Sequence, residues 1–230
     1  MLIGPDPNFP YLSYNDCFSF PDPKKCDDWV VAVGGNLSPG MLLSAYEQGI
    51  FPWYGPNDPV IWQSPDPRFV LFPDKLHISA SMQKILKKRV FKITFNTDFY
   101  GVINGCAQSI RLRKDDGVSG TWITKDIIEA YAELYRLGYA HSAEAWFEGD
   151  LVGGCYGLLM GKVFMGESMF AKKSNASKAA FLTLAQKLFE NGINFIDCQT
   201  ASKHLESLGA EEISRETYLA LLRVNNVVRD

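Results

Sequence analysis

The sequence predicts an α/β protein built on a mixed sheet, and three observations carry that prediction. Residues 151–170, LVGGCYGLLMGKVFMGESMF, hold two apolar runs around Met160-Gly161-Lys162. A Gly between such runs marks a hairpin turn, because it takes positive φ without steric cost. Residues 176–190 then place Ala180, Phe181, Leu184, Ala185 and Leu188 at helical spacing, with Ser174-Asn175 as cap chemistry and Asn191-Gly192 as the stop. Residues 193–199 (INFIDCQ) read as a short buried strand ending in polar residues. The local order is strand, strand, helix, strand.

Taken from the N-terminus, Pro5, Pro7, Pro10, Pro21 and Pro23 make the first 28 residues extended and irregular. Ser38-Pro39 suits an N-cap and first helical position, so residues 39–48 are expected as a short helix stopped by Gly49. Phe51, Trp53, Tyr54, Trp62, Phe69 and Phe72 follow among six prolines in residues 49–73. That composition suits a packed irregular loop, or a surface on which bases stack. Ser79 caps a second helix with Met82, Ile85 and Leu86 inside, while Lys84, Lys87 and Lys88 share the other face and Arg89 and Lys92 follow. That basic face is either simply solvated or a phosphate-binding patch.

Residues 91–95 alternate as a strand, 99–108 read as a helix and 109–120 as a polar, glycine-bounded loop. Thr124 caps a helix over 125–137 with the stripe Ile127, Ile128, Tyr131, Leu134 and Tyr135, and Gly138 ends it. Residues 140–147 are expected as a strand, turned into the hairpin by Glu148-Gly149-Asp150. Glu167 near the end of the second hairpin strand is a carboxylate among apolar neighbours, which must be paired, placed in a cleft or functional. Asp197 and Gln199 are two apart on a strand, so they face one side. Asp197 could equally cap a helix beginning near Ser202, and Glu167 could be a salt-bridged strand carboxylate.

The chain's 230 residues allow one large or two small domains, drawn here as 1–75 (a small N-terminal domain) and 76–230. The net charge of −3 supplies no global field for nucleic acid, so any such binding needs a local patch. No apolar run is long enough for a membrane span, and the start lacks the regions of a signal peptide. Five scattered cysteines without a CxxC suit free thiols in a reducing cytosol, and a cytoplasmic protein is expected. Three distant histidines, no GxxxxGK[ST] and no GxGxxG argue against a metal or a nucleotide cofactor.

From residue 91 the order strand, helix, helix, strand, hairpin, helix, strand, helix suits an N-acetyltransferase-like acyltransferase fold, a mixed sheet split to admit an acyl donor. Seven stretches in order then resemble one family. They are GGNLS (34–38), YEQGIFPW (46–53), WQSPDPR (62–68), GTWIT (120–124), GESMF (166–170), NASK (175–178) and FIDCQ (195–199). Together, over about residues 30–222, they resemble leucyl/phenylalanyl-tRNA–protein transferases. Such enzymes move Leu or Phe, and in some readings Met, from aminoacyl-tRNA to the N-terminal Lys or Arg of a protein, marking it for N-end-rule degradation. The donor is an activated ester and the attacking α-amine has a pKa near ~8, so no ATP, metal or covalent nucleophile is required.

The resemblance implies a set of roles. Asp197 orients the incoming amine, with its deprotonation left open, Gln199 holds Asp197 or the ester, and Glu167 contacts the donor's amino group. Tyr46, Trp53, Trp122, Phe164 and Met169, with Ile196, form the site for donor amino acid and adenosine. Leu184 and Leu188 belong to that site too, but stand where known members carry Phe. Lys84, Lys87 and Lys88 face the tRNA, while Ala80 departs from the family's basic pattern. The implied partners are leucyl-tRNA or phenylalanyl-tRNA and acceptor proteins with N-terminal Lys or Arg, no membrane is involved, and a monomer is expected. Rival readings are a peptidoglycan-precursor transferase using the same donors, a non-enzymatic tRNA-binding module, and an acyl-CoA acetyltransferase, whose Q/RxxGxG/A loop this chain lacks.

Overall fold

Strand pairing in the second half of the chain sets where the site lies. The computed structural model describes residues 5–109 and 121–227, and the loop expected over 109–120 lies outside them from residue 110 on. Among the described residues, β1 (Val30–Val33), β2 (Phe51–Pro52) and β3 (Ile61–Gln63) form a small antiparallel sheet of order β1-β3-β2. Between them α1 (Pro39–Glu47) starts on Pro39 after Ser38, as expected, and Gly49 follows it at φ +76°.

The second sheet runs β10-β4-β9-β8-β7-β6-β5. Its strands are β4 (Arg68–Leu71), β5 (Lys92–Phe95), β6 (Ala140–Phe147), β7 (Asp150–Met160), β8 (Val163–Ala171), β9 (Phe195–Gln199) and β10 (Glu211–Ile213). All pairings in it are antiparallel except β8–β9. The β7–β8 hairpin turns at Gly161-Lys162, with Met160 opposite Val163 and Gly161 at φ +54°. The β6–β7 hairpin turns at Glu148-Gly149, both at positive φ.

Helices cover both faces. On one face lie α3 (Phe99–Gln108) and α4 (Lys125–Arg136), whose Phe99, Val102, Ile127, Tyr131 and Leu134 share a core with α1, the N-terminal segment and α7 (Arg215–Val224). On the other lie α2 (Ala80–Lys87) and α5 (Ala176–Glu190), whose Met82, Ala179, Ala180, Phe181 and Leu184 pack on Ala143, Cys155, Phe164 and Ile196. Ser79 caps α2 by accepting from the Met82 N–H at 3.4 Å. Thr124 caps α4 through the Ile127 N–H at the same distance. Asn175 precedes α5 in the left-handed region and makes no side-chain cap bond, unlike the cap expected there.

One expectation needs correction. Residues 51–71, read as irregular, contain β2, β3 and β4, and β4 sits inside the large sheet between β9 and β10. Strands of two to four residues between prolines carry too few positions to display a period, so their identity comes from their partners. The helix near Ser202 is only α6 (Lys203–Glu206), and β10 and α7 follow it. The aromatics of 51–72 are mostly core, with Phe51, Tyr54, Trp62 and Phe69 buried. Among the described residues no helix is long and apolar enough to cross a membrane.

Candidate active site

The parallel pair opens the sheet. Val163, Phe164 and Met165 of β8 pair with Phe195, Ile196 and Asp197 of β9, and there the ladder stops, although β8 runs on to Ala171 and β9 to Gln199. The two strands diverge beyond that point, and a cavity of about 290 Å³ occupies the gap. Phe164, Met169, Phe181 and Ile196, from the α5 side of the sheet, make its apolar wall. Trp53 and Trp122 line it as well, packed against the opposite core. Glu167 and Gln199 supply polar groups, and Thr200, Ser202 and His204 line the stretch leading into α6.

Glu167 is held from three directions. Tyr46 Oη donates to its Oε1 at 2.7 Å, Gln199 Nε2 donates to the same oxygen at 2.9 Å, and Tyr131 Oη donates to Oε2 at 3.0 Å. The two phenol oxygens also lie within hydrogen-bond reach of each other, and with one O–H each all three contacts are filled together only when the carboxyl carries a proton. Burial pushes the Glu167 carboxyl up to about 7, with the phenol hydrogen bonds opposing that rise and the nearby Asp197 charge adding to it. Burial first, and the Glu167 charge second, push both phenols well above their usual range, so they remain donors. An apolar cavity with one carboxylate in its wall is built to receive a cation attached to an apolar group.

Asp197 sits beneath this layer and does not line the cavity. It is fully buried, and Arg68 clamps it through Nε to Oδ1 at 2.9 Å and Nη2 to Oδ2 at 2.6 Å. Tyr218 Oη donates to Oδ2 at 2.7 Å and the Gln199 backbone N–H to Oδ1 at 2.9 Å. Burial is the largest single influence on Arg68 and works against its charge, but Asp197 and Tyr218 together, through charge and hydrogen bonds, raise the guanidinium above its ordinary range. Arg68 also lies over the Phe51 and Tyr218 rings, 4.8 and 4.3 Å from their centroids, and donates to Gly49 O at 3.1 Å. Gln199 itself takes φ +63°, a left-handed conformation that costs a non-Gly residue of order 1–3 kcal/mol and persists only where neighbours enforce it. Its N–H to Asp197 and its amide to Glu167 are the bonds that enforce it.

The residues named from sequence therefore divide. Glu167, Gln199, Trp53, Trp122, Phe164, Met169 and Ile196 meet around one cavity. Tyr46 reaches it through Glu167 rather than by lining it. Leu184 and Leu188 pack in the core under α5 and do not line it. Lys84, Lys87 and Lys88 are exposed on α2, with Arg89 and Lys92 on the rim of a groove between α2, β5 and α5. Sequence reasoning passed over Arg68, Tyr131 and Tyr218. Arg68 ended one of the motif stretches and Tyr131 stood in the α4 stripe, but a stripe position says nothing about where its hydroxyl points.

Residues 70–223 match the family described as leucyl/phenylalanyl-tRNA protein transferase, and residues 35–66 match that family's N-terminal domain. A relative from Syntrophobacter fumaroxidans, named leucyl/phenylalanyl-tRNA–protein transferase, is 52% identical over 86% of this chain and 83% of its own. One of the same name from Flavobacterium johnsoniae is 48% identical over 93% of this chain and 99% of its own. Among solved structures, a GCN5-related N-acetyltransferase from Kribbella flavida is a distant likeness, at TM-score 0.41 and 11% identity over 77% of this chain and 62% of that one.

Proposed function

This chain belongs to the leucyl/phenylalanyl-tRNA–protein transferase family, and from that premise we propose how its cavity carries out the transfer. The enzyme takes an aminoacyl group from tRNA and joins it to the N-terminal amine of a protein. The observation that carries the reading is Glu167, a buried carboxylate in the wall of an apolar cavity that opens where β8 and β9 part.

The donor's α-ammonium pairs with Glu167, whose two phenol partners and Gln199 amide fix the carboxylate's direction. Its side chain lies against Phe164, Met169 and Ile196. That wall suits Leu, Phe or Met and rejects a charged side chain, which would be desolvated without a partner. Trp53 and Trp122 stack the terminal adenosine. The ester is already activated, so the protein's work is to hold it in place and stabilise charge as the amine attacks. Asp197, with both oxygens engaged by Arg68, Tyr218 and the Gln199 N–H, acts here as the orienter of Gln199. Lys84, Lys87 and Lys88 bind tRNA phosphates, which position the molecule without reading its sequence.

In the same reading the acceptors begin with Lys or Arg, the product is marked for N-end-rule degradation, and the enzyme works as a cytoplasmic monomer. Residues 1–75 bring Trp53 to the cavity and lend β4 to the sheet of the catalytic part, residues 76–230. Transfer from labelled Leu-tRNA to an Arg-starting peptide, with an Asp-starting peptide beside it, is the test. Labelled product on the Arg peptide alone supports the reading, and no product on either ends it.

A further inference from the structure

We infer that the donor-amine site carries a proton while it is empty, shared among Glu167, Tyr46 and Tyr131, and that the donor's ammonium enters by displacing it, one proton leaving for each aminoacyl-tRNA bound. The inference rests on the function proposed above, and the number of hydrogens available to the site carries it.

Three oxygen contacts close a ring. They are Tyr46 Oη to Glu167 Oε1 at 2.7 Å, Tyr131 Oη to Glu167 Oε2 at 3.0 Å, and the two phenol oxygens to each other. Each contact needs one hydrogen between its oxygens. An ionised carboxylate brings none. Both phenol hydrogens then go to it, and the phenol oxygens meet lone pair to lone pair inside a dry core. One more hydrogen, on the carboxyl, fills all three contacts. Oε1 already accepts from Gln199 Nε2 at 2.9 Å, so the proton belongs on Oε2. From there Oε2 donates to Tyr131, Tyr131 to Tyr46, and Tyr46 to Oε1. Burial, which pushes this carboxyl up to about 7, favours the same form.

The groups around the ring leave that proton in place. Tyr46 on α1 and Tyr131 on α4 are held well above their usual range, by burial first, and stay protonated. Tyr156 on β7 meets Tyr131 edge to face, 5.7 Å between ring centroids. Beside Gln199 on β9, Asp197 is bound by Arg68 of β4 at 2.6 Å, so the two charges offset each other. Cys155 of β7 and Cys198 of β9 line the cavity with thiols that burial pushes up and keeps neutral. His204 of α6 lines it too, its pKa lowered by burial and then by Lys178.

The donor's ammonium needs an anion at Glu167. As it binds, the Oε2 proton passes to water and both phenols turn to donate to the carboxylate. The site is neutral before, as a carboxylic acid, and neutral after, as an ion pair. Below the carboxyl's pKa, donor binding therefore strengthens as pH rises, by up to about tenfold per pH unit. It levels off above that pKa, until the ammonium itself deprotonates near ~8. Uncharged tRNA brings no ammonium and displaces nothing.

The test titrates the full chain with Leu-tRNA and with uncharged tRNA of the same sequence between pH 5.5 and 7.5, by calorimetry in two buffers of different ionisation enthalpy. The difference between the two tRNAs isolates the amine site. At pH 6, Leu-tRNA should release close to one proton more than uncharged tRNA. Its affinity advantage should grow about eightfold from pH 5.5 to 6.5. No excess proton at pH 6, or an advantage flat across the range, overturns the inference. Tyr131→Phe separates the ring from burial alone. It takes two hydrogen bonds from the protonated ring and one from the carboxylate, so the midpoint of the pH dependence should move to lower pH. A phenol that only donated to the carboxylate would, once removed, move the midpoint to higher pH, and that result also overturns the inference. Tyr46→Phe should shift it in the same sense as Tyr131→Phe and serves if the latter fails to fold. His204→Gln should leave the midpoint unmoved; a midpoint that follows His204 would place the proton on the imidazole and overturn the ring. If the wild type binds Leu-tRNA no better than uncharged tRNA at any pH, it is the proposed function that fails.

Discussion

Glu167 has a carboxyl whose folded pKa is about 7, against 4.5 as the ordinary value. The native state therefore holds this proton more tightly than the unfolded chain. The stabilisation is complete below about pH 4.5 and is lost as pH rises through about 7. At ~1.4 kcal/mol per pKa unit the loss is about 3 kcal/mol, carried by a group that the site needs charged. Glu167→Gln removes the titration. Its melting temperature should fall less than the wild type's between pH 5 and pH 8, while donor binding is abolished; parallel melting curves across that range would refute the assignment. Arg68 offers the converse case. Arg68→Met leaves Asp197 buried without its cation and should cost about 3–5 kcal/mol in chemical denaturation. Adding Asp197→Asn to it should recover a good part of the loss, since no unpaired charge then remains, and a double variant no more stable than Arg68→Met would contradict this.

Among the elements, the β7–β8 hairpin is the most constrained. Its register shifts between Tyr156 and Gly157, and a Cβ on Gly157 would lie 2.1 Å from Met165 O and 2.7 Å from the Phe164 ring. A glycine inside a strand marks a bulge or a close approach, and Gly157 is at both. Gly157→Ala must push β8 or the Phe164 ring away, at a cost of about 1–3 kcal/mol, and the displaced ring belongs to the cavity wall. Weaker Leu-tRNA binding should accompany the lower stability; unchanged stability would mean that the strand yields freely. Helix α2 makes a separate prediction. In the triple variant Lys84→Ala/Lys87→Ala/Lys88→Ala, every lysine that had been neutralising a phosphate should lower the log–log salt slope of tRNA binding by roughly 0.7–0.9. An unaltered slope would remove this face from the interface.

At the level of the whole molecule, the two ends of the chain close over the site's foundation. β10 pairs with β4, and α7 places Tyr218 on the Arg68–Asp197 pair. Arg215 at the start of α7 donates to Ser64 O at 2.9 Å and Cys26 O at 3.0 Å, and its N–H donates to Asp66 at 3.0 Å. Tyr218→Phe takes one donor from Asp197 and one acceptor from Arg68 inside a dry site, so about 1–3 kcal/mol of stability should go. The residue lies outside the cavity wall, so Leu-tRNA affinity at low temperature should hold. A full-strength thermal transition in this variant would show that α7 closes the fold by apolar packing alone.

The sequence by itself determined the elements that carry their own pattern: the β7–β8 hairpin, the strand of Asp197, and helices α3, α4 and α5 are long enough to display a period and to end on Gly or a cap. It also picked out a part of the cavity's lining, because the motif stretches keep Trp53, Trp122, Glu167, Met169 and Gln199 recognisable in order. Only the tertiary structure decided the rest. The strands of the first 75 residues and β10 are too short to announce themselves and exist through their partners. Asp197 finds Arg68 across 129 positions, and Glu167 finds Tyr46 across 121. Hydrogen-bond partners at such separations are chosen when the sheet closes, not by local spacing. For that reason a strand-end carboxylate that the sequence offered as a reacting group lies under the cavity, and a histidine with no motif around it lines the wall.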